Sequence, residues 1–498
     1  MELEHLDVLI VGAGLSGIGA AHHLGEKCPA KTYAILEARD AIGGTWDLFR
    51  YPGVRSDSDM YTLGYSFRPW DDGSAIAPAA SILSYVRDTA DEGGITGRVR
   101  FGHRVVRAAW STPDARWTVD VEVGGPGGGG GAELDGGRGE LVRLTCGFLL
   151  TCTGYYRYDD GYTPEFPGSE RFAGVVAHPQ HWTEDIDYAG KRVVVIGSGA
   201  TAVTLVPAMA ASAGHVTMLQ RSPSYVVSLP AKDPIADVLR RVAPAKVAYT
   251  LVRWKNVLVT MTSFELSRRR PAVMKAILRR WTKRQLPRGF AVDTHFKPSY
   301  NPWDQRLCVV PDGDLFRAIR SGRASVATGR IDTFTETGVR LRSGEDLPAD
   351  LIVTATGLDL LAIGGMTLAV DGREIHLSET MSYKGMMLAG VPNLAVVLGY
   401  TNASWTLKVD LTCDYVCRLL NHMDDHGYIQ CMPGQPDPSV GRLPFIDFSS
   451  GYIRRAAGRF PMQGSKAPWR LYQNYFRDIL SLRYGRVEDG ALEFSGRG

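Results

Sequence analysis

Two glycine turns carry the strongest chemical signal in this 498-residue chain. The first, Gly12-Ala13-Gly14-Leu15-Ser16-Gly17, follows an apolar run from Leu6 to Val11 and opens a helix-like stretch from Ile18 to Leu24. Tyr33 to Leu36 reads as a second strand that ends in Glu37, 20 residues beyond Gly17. Strand, turn, helix, strand and acid in this order make a dinucleotide site. Gly12 permits the tight turn, Gly14 lets backbone approach a pyrophosphate, and Gly17 lets helix and strand pack closely. The helix N-terminus faces the phosphates, and Glu37 accepts hydrogen bonds from a ribose. The second turn, Gly197-Ser198-Gly199-Ala200-Thr201-Ala202, follows the strand-like Arg192 to Ile196. The next strand, His215 to Leu219, runs into Gln220-Arg221-Ser222 and meets no acid. A carboxylate there would repel a 2′-phosphate, whereas an arginine and a hydroxyl bind one. The first site therefore suits FAD and the second NADPH. The plainer reading of Arg221 is a solvated arginine at a strand end.

Such turns need parallel sheets to hold them. The expected class is α/β, with two Rossmann-like dinucleotide-binding domains and a helical insertion. Phe148 to Gly154 and Asp350 to Gly357 each read as an apolar strand ending in a Thr-Gly turn, one closing each unit. The expected division is an FAD-binding part over 1–150, an NADP-binding domain over 151–370, and the rest of the FAD-binding domain over 371–498. The glycine-rich stretch between Val123 and Glu140 reads as a flexible hairpin loop, with Thr118–Val123 and Leu141–Thr145 as its flanking strands.

A basic helical insertion is expected at about 235–292. Residues 240–290 hold fourteen Lys or Arg and one acid, Glu265. Leu251 to Met261 and Ala272 to Trp281 read as helices. The plain reading is a solvated basic face, and the alternative is peripheral contact with anionic lipid or an acidic partner. The whole chain carries only +3, which argues against a nucleic-acid partner. Hydrophobic residues at 44% and charged residues at 22% exclude disorder, collagen and coiled coil as its main character. The seven cysteines form no CxxC, which argues against a disulfide framework, a zinc site or a dithiol centre, and no metal is expected. Acidic residues precede the first apolar run, and no 18-residue apolar stretch occurs, so a cytoplasmic protein is expected.

Three further stretches add chemistry. Gly43-Gly44-Thr45-Trp46 precedes Tyr51-Pro52-Gly53-Val54-Arg55-Ser56-Asp57. Phe172 to Trp182 fits F-x-G-x-x-x-H-x-x-x-W at every fixed position. Asn301-Pro302-Trp303-Asp304-Gln305-Arg306-Leu307 is the third. At these residues the chain resembles the flavin monooxygenases of the Baeyer–Villiger type. The resemblance implies FAD, NADPH and O2, insertion of oxygen into ketones to give esters or lactones, and oxidation of sulfides to sulfoxides. The oxygen carrier would be a peroxide at the C4a carbon of the flavin. On that family's pattern, Ser16, Glu37, Thr45, Trp46, Asp47, Leu48, Asp57 and Val105 fall at FAD contacts. Arg55, Ser56, the turn Gly197 to Val203, Arg221 and Ser222 fall at NADP contacts.

A fixed cation beside such a peroxide lowers its pKa and stabilises the anion. Arginine stays charged at every working pH. That role falls to Arg306, with Asp57 accepting from it and aiming it. A structural salt bridge and a turn-capping aspartate are the plain alternatives. His178 and Trp182 would keep the domains and the nicotinamide in register, or serve structure alone. Trp405 fits a pocket wall or a core position equally. Two positions depart from the family: Thr183 stands where the fingerprint closes with Pro or Asp, and Gln305 stands where many members carry lysine. That lysine helps hold the 2′-phosphate, so NADPH preference rests more heavily on Arg221 and Ser222. Three rival readings are an enzyme restricted to soft sulfur or nitrogen, a non-catalytic flavin-fold protein that binds a membrane or a partner, and a flavin disulfide reductase, which needs a redox cysteine pair that the sequence does not show.

Overall fold

The computed structural model describes residues 3–124 and 139–496. Most of the glycine-rich loop, residues 125–138, lies outside them. The first apolar run becomes the strand His5–Val11, buried along most of its length as befits the interior of a parallel sheet. It pairs in parallel with Tyr33–Leu36 on one side and Glu140–Thr151 on the other. Helix Leu15–Lys27 makes the crossover. A methyl group on Gly17 would be driven into the Gly12 carbonyl, and one on Gly12 would sit 2.8 Å from the Cys152 carbonyl oxygen at a φ of +102°. The turn therefore accepts a side chain at neither position.

Among the described residues this sheet has nine strands. Eight of them run in the order Arg373–Glu374, Thr367–Val370, His103–Ser111, Arg116–Val123, Glu140–Thr151, His5–Val11, Tyr33–Leu36 and Val99–Arg100. Leu394–Val396 also pairs with Glu140–Thr151. Glu140–Thr151 is one strand of 12 residues, where the sequence pattern reads as two. Its first half lies antiparallel to Arg116–Val123, and its second half runs parallel between His5–Val11 and Leu394–Val396. The change of partner is the physical reason for the change from mixed to wholly apolar pattern. The strand ends at Thr151, so the Thr153-Gly154 turn lies beyond it.

The second sheet is parallel throughout, in the order Ala324–Thr328, His215–Gln220, Arg192–Ile196, Leu351–Thr354 and Val175–Ala177. Helix Ala200–Met209 follows the second glycine turn. Leu351–Thr354 is an interior strand, between Arg192–Ile196 and Val175–Ala177, although it arrives late in the chain. Val175–Ala177 is the middle of the Phe172–Trp182 motif and forms the sheet edge.

Three helices, Pro234–Val242, Ala245–Arg269 and Pro271–Gln285, fill most of the basic insertion. The long one is clamped to the first half of the chain by buried Arg253. Its Nη1 donates to the carbonyls of Tyr61 at 2.8 Å and Gly64 at 2.7 Å, and its Nη2 lies 3.6 Å from Asp410. Methionine here would leave the carbonyls and the acid without their cation. Arg253→Met should cost about 3–5 kcal/mol in urea unfolding, and a loss under about 1 kcal/mol would remove the clamp from this account. No helix among the described residues is long and apolar enough to cross a membrane.

Candidate active site

The two glycine turns open onto one cavity of about 400 Å³. Gly12, Gly14, Ser16 and Glu37 line one part of it, and Thr45, Trp46, Asp57, Arg306 and Trp405 line the rest. Glu37 is buried at the end of its strand. One carboxylate oxygen accepts from the Ala13 amide at 2.7 Å and the other from the Arg39 amide at 2.9 Å. Burial pushes its pKa up, against the two amides that hold it down. Each oxygen keeps a lone pair for a further donor.

Thr45 and Trp46 reach the cavity from the short helix Thr45–Leu48. Thr45 Oγ1 lies 3.2 Å from the Tyr158 hydroxyl. Asp47 and Leu48 are not among the lining residues. Asp47 is buried and gripped by Arg39 at 2.7 Å, Arg87 at 3.0 Å and Arg50 at 3.4 Å, so it secures this helix. Val105 lines the cavity from His103–Ser111, beside a bulge between Val105 and Arg107. Trp405, at the start of helix Trp405–His426, donates from Nε1 to Ser16 Oγ at 2.8 Å. Gly17 is buried beneath the turn.

Arg306 meets Asp57 at two points. Nε lies 3.0 Å from one carboxylate oxygen, and Nη2 donates to the other at 3.0 Å. This fork fixes the plane of the guanidinium. Burial alone would favour the neutral form. The Asp57 carboxylate outweighs it, helped by Tyr155 and Tyr156, and the guanidinium pKa is pushed above its ordinary value. The loop Asn301–Leu307 is held closed because Asp304 accepts from the Asn301 amide at 2.9 Å. Arg268 pins the same aspartate at 3.2 Å. On the facing segment, Arg55 forks onto Asp314 at 2.5 and 3.4 Å. Ser56 is fastened to Ala77 through its own amide at 2.9 Å and its Oγ at 3.1 Å. Arg55, Ser56 and Asp57 all line the cavity.

From the second turn, Ala200 and Thr201 reach the cavity, whereas Gly197, Ser198 and Gly199 do not. Ala202 and Val203 are buried in the core beneath their helix. Ser198 Oγ lies 3.1 Å from the Ser222 carbonyl and 2.9 Å from Ser224 Oγ, which fastens the turn to the strand-end segment. Arg221 is exposed there. Gln220 is occupied, donating to the His295 carbonyl at 2.7 Å and to Thr328 at 2.9 Å. His178 and Trp182 stand outside the cavity lining. His178 Nδ1 accepts from the Gln180 amide at 3.2 Å, and its buried Nε2 has no partner. Burial, with His181 nearby, pushes its pKa down and keeps it neutral. Gln180 donates to the carbonyls of Arg157 at 3.1 Å and Tyr158 at 2.8 Å, so the motif braces the cavity wall from behind. Trp182 packs edge-on against Tyr188.

The sequence reading missed Tyr155, Tyr156 and Tyr158, which all line the cavity. Their signal was three tyrosines crowded directly after the Thr153-Gly154 turn. Asp314, Arg39 and Arg87 were missed as well, and nothing local marks them, because their partners lie far along the chain or across a turn.

A methyl group on Gly14 would meet nothing closer than 3.6 Å, and one on Gly199 nothing within 4 Å. The fold itself has no need of glycine at either position. The space left clear lies at the N-terminus of a helix, where outward amides and the helix dipole favour phosphate. The residues present therefore fit a pyrophosphate at each turn. Gly14→Ala should lower retained flavin, and Gly199→Ala should raise the KM for NADPH, each by about ten-fold. Tm should be unchanged or slightly raised in both. A fall in Tm with normal cofactor binding would contradict this.

Two dinucleotide turns, a shared cavity and a fixed cation define a flavin- and nicotinamide-dependent oxidoreductase. Residues 143–361 match the flavin-binding monooxygenase-like family, and residues 10–70 match the NAD(P)-binding Rossmann-like domain. The chain is 55% identical over 495 residues to the FAD-containing monooxygenase EthA of Mycobacterium tuberculosis, covering 99% of this chain and 98% of that protein. It is 47% identical to the probable FAD-binding monooxygenase AlmA of Acinetobacter baylyi, covering 99% and 96%. The chain belongs to this family of FAD-containing monooxygenases. A steroid monooxygenase bound to NADP shares the fold, with a TM-score of 0.75 at 22% identity, covering 99% of this chain and 100% of that one. OTEMO in complex with FAD and NADP does so with a TM-score of 0.73 at 19% identity, covering 99% and 100%. FAD and a nicotinamide dinucleotide are therefore the cofactors of this family.

Proposed function

We propose that the chain is an NADPH-dependent Baeyer–Villiger monooxygenase. It inserts one oxygen atom of O2 into ketones, giving esters or lactones, and oxidises sulfides to sulfoxides. The FAD-binding part would be formed by residues 1–150 and a second part that begins earlier than the expected 371, because Thr367–Val370 already pairs with His103–Ser111 in the first sheet; the NADP-binding part lies between them. One observation carries the reading: the Arg306 guanidinium, forked onto Asp57, lies in the wall of the cavity that also holds Gly14, Glu37 and Trp46. When bound, FAD supplies hydride acceptance from NADPH and activation of O2. Arg306 keeps a permanent positive charge where negative charge builds on a ketone oxygen under attack. Asp57 sets the plane of that charge. Trp405, locked by Ser16, and the three tyrosines wall the site from water.

The test is product analysis with FAD-loaded enzyme, NADPH or NADH, and a panel of phenylacetone, a linear ketone and thioanisole. Esters and a sulfoxide, formed with NADPH in preference to NADH, are the expected products. NADPH oxidation that yields only hydrogen peroxide with every substrate would overturn the reading. The same assay tests the exposed Arg221 as the 2′-phosphate partner. Arg221→Ala should raise the KM for NADPH by about 10- to 100-fold and leave that for NADH unchanged.

A further inference from the structure

The helices between Pro234 and Gln285 carry outward apolar stripes that no other part of the described chain covers. On Pro234–Val242, Ile235, Val238 and Val242 are 53%, 58% and 74% exposed. On Ala245–Arg269, Val247, Leu251, Trp254 and Leu258 recur at spacings of four, three and four, and all are at least 40% exposed. That spacing draws one stripe about 16 Å long. The same helix already buries Tyr249, Val252 and Val257 against the protein, so this is a second apolar face. Trp254 stacks on Phe476 with 6.0 Å between centroids. From there Phe476, Leu480 and Tyr484 continue the surface at four-residue intervals, Leu480 and Tyr484 being 66% and 71% exposed. Contiguous exposed apolar surface of this kind marks an interaction site.

The same three helices hold twelve Lys or Arg against two acids, Asp237 and Glu265. Some are engaged: Arg253 in the buried clamp, Lys255 with Asp233, Arg269 with Glu265 and Arg279 with Asp293. Arg240, Arg241, Lys246, Arg280, Lys283 and Arg284 are exposed, with no acidic side chain within 4 Å among the described residues. We propose that this face docks on an anionic lipid bilayer, with the stripes in the headgroup layer and the free cations on lipid phosphates. Charge decides among the occupants. A second copy of this surface would bring like charges together. A nucleic acid would neutralise the cations but leave the stripes in water. An anionic bilayer satisfies both, and Trp254 and Trp281 have the apolar body and polar edge that suit its interface. The inference is independent of the oxygenation chemistry proposed above.

The experiment is co-sedimentation of the full-length, FAD-loaded chain with vesicles of phosphatidylcholine, with and without phosphatidylglycerol, at low and high salt. Partitioning should be at least about ten-fold stronger onto the anionic vesicles at low salt and should weaken as salt rises. Leu251→Glu with Leu258→Glu, and separately Arg280→Glu with Arg284→Glu, should each reduce it by about ten-fold or more. NADPH oxidation in the absence of vesicles should be unchanged in both. Absence of binding to anionic vesicles at low salt would overturn the proposal, as would undiminished binding by the stripe variant. So would a dimer in solution that the stripe variant dissociates, or retention on DNA in place of vesicles.

Discussion

Arg306→Ala should lose ketone oxidation by about 10²- to 10³-fold in kcat/KM while sulfide oxidation stays within a few-fold. The two reactions differ in what they ask of the protein. Attack on a ketone builds negative charge that a fixed cation stabilises. Oxygen transfer to a soft sulfur needs no such anion. Desolvation makes the cation count for more, because few competing dipoles surround it. Flavin content should match the parent, and Tm should fall only modestly, because Asp57 is about a third exposed and keeps access to water when its partner is lost. Arg306→Lys keeps the charge and loses the fork, so its ketone activity should be intermediate. Equal loss of both reactions, with cofactor retained, would take the role away from this residue. Loss of neither would do the same.

Gly17→Val should be the most damaging single change to the first turn. Its side chain would enter the Gly12 carbonyl, and helix Leu15–Lys27 would have to lift from strand His5–Val11. Overpacking at so tight a contact should cost about 4 kcal/mol or more in urea unfolding, with flavin absorbance lost at the same step. The comparison with Gly14→Ala is informative, because the two glycines lie three residues apart and fail differently. One variant should lose the fold and the flavin together. The other should lose flavin alone. A Gly17→Val protein that is stable and fully yellow would contradict the packing account.

Both glycine turns were legible in the sequence because their meaning is local. A strand, a turn and a helix occupy about thirty consecutive residues, and each glycine answers to atoms close along the chain. Tyr33–Leu36, Arg192–Ile196 and Leu351–Thr354 were legible for the same reason, as short apolar runs closed by turns. The Arg306–Asp57 pair was reached only by resemblance to a family, since 249 residues separate its members. Asp47 shows the limit of that route. Its position matched a cofactor contact, yet the structure gives it three arginines, and nothing in the residues around it marks Arg87 as one of them. The single strand Glu140–Thr151 was hidden by its own change of partner. The exposed stripe on Ala245–Arg269 was hidden because a helix with two apolar faces has no clean periodicity until one face is known to be covered.

Two ion pairs cross between the same two segments in opposite senses. Residues 51–58 give the cation Arg55 and the anion Asp57, and residues 301–314 give the anion Asp314 and the cation Arg306. The arrangement is an interlock. Neither segment can withdraw without leaving one unpaired cation and one unpaired anion on each. If Arg306 has the role proposed for it, the chemistry and the seating of these two segments depend on the same pair of charges.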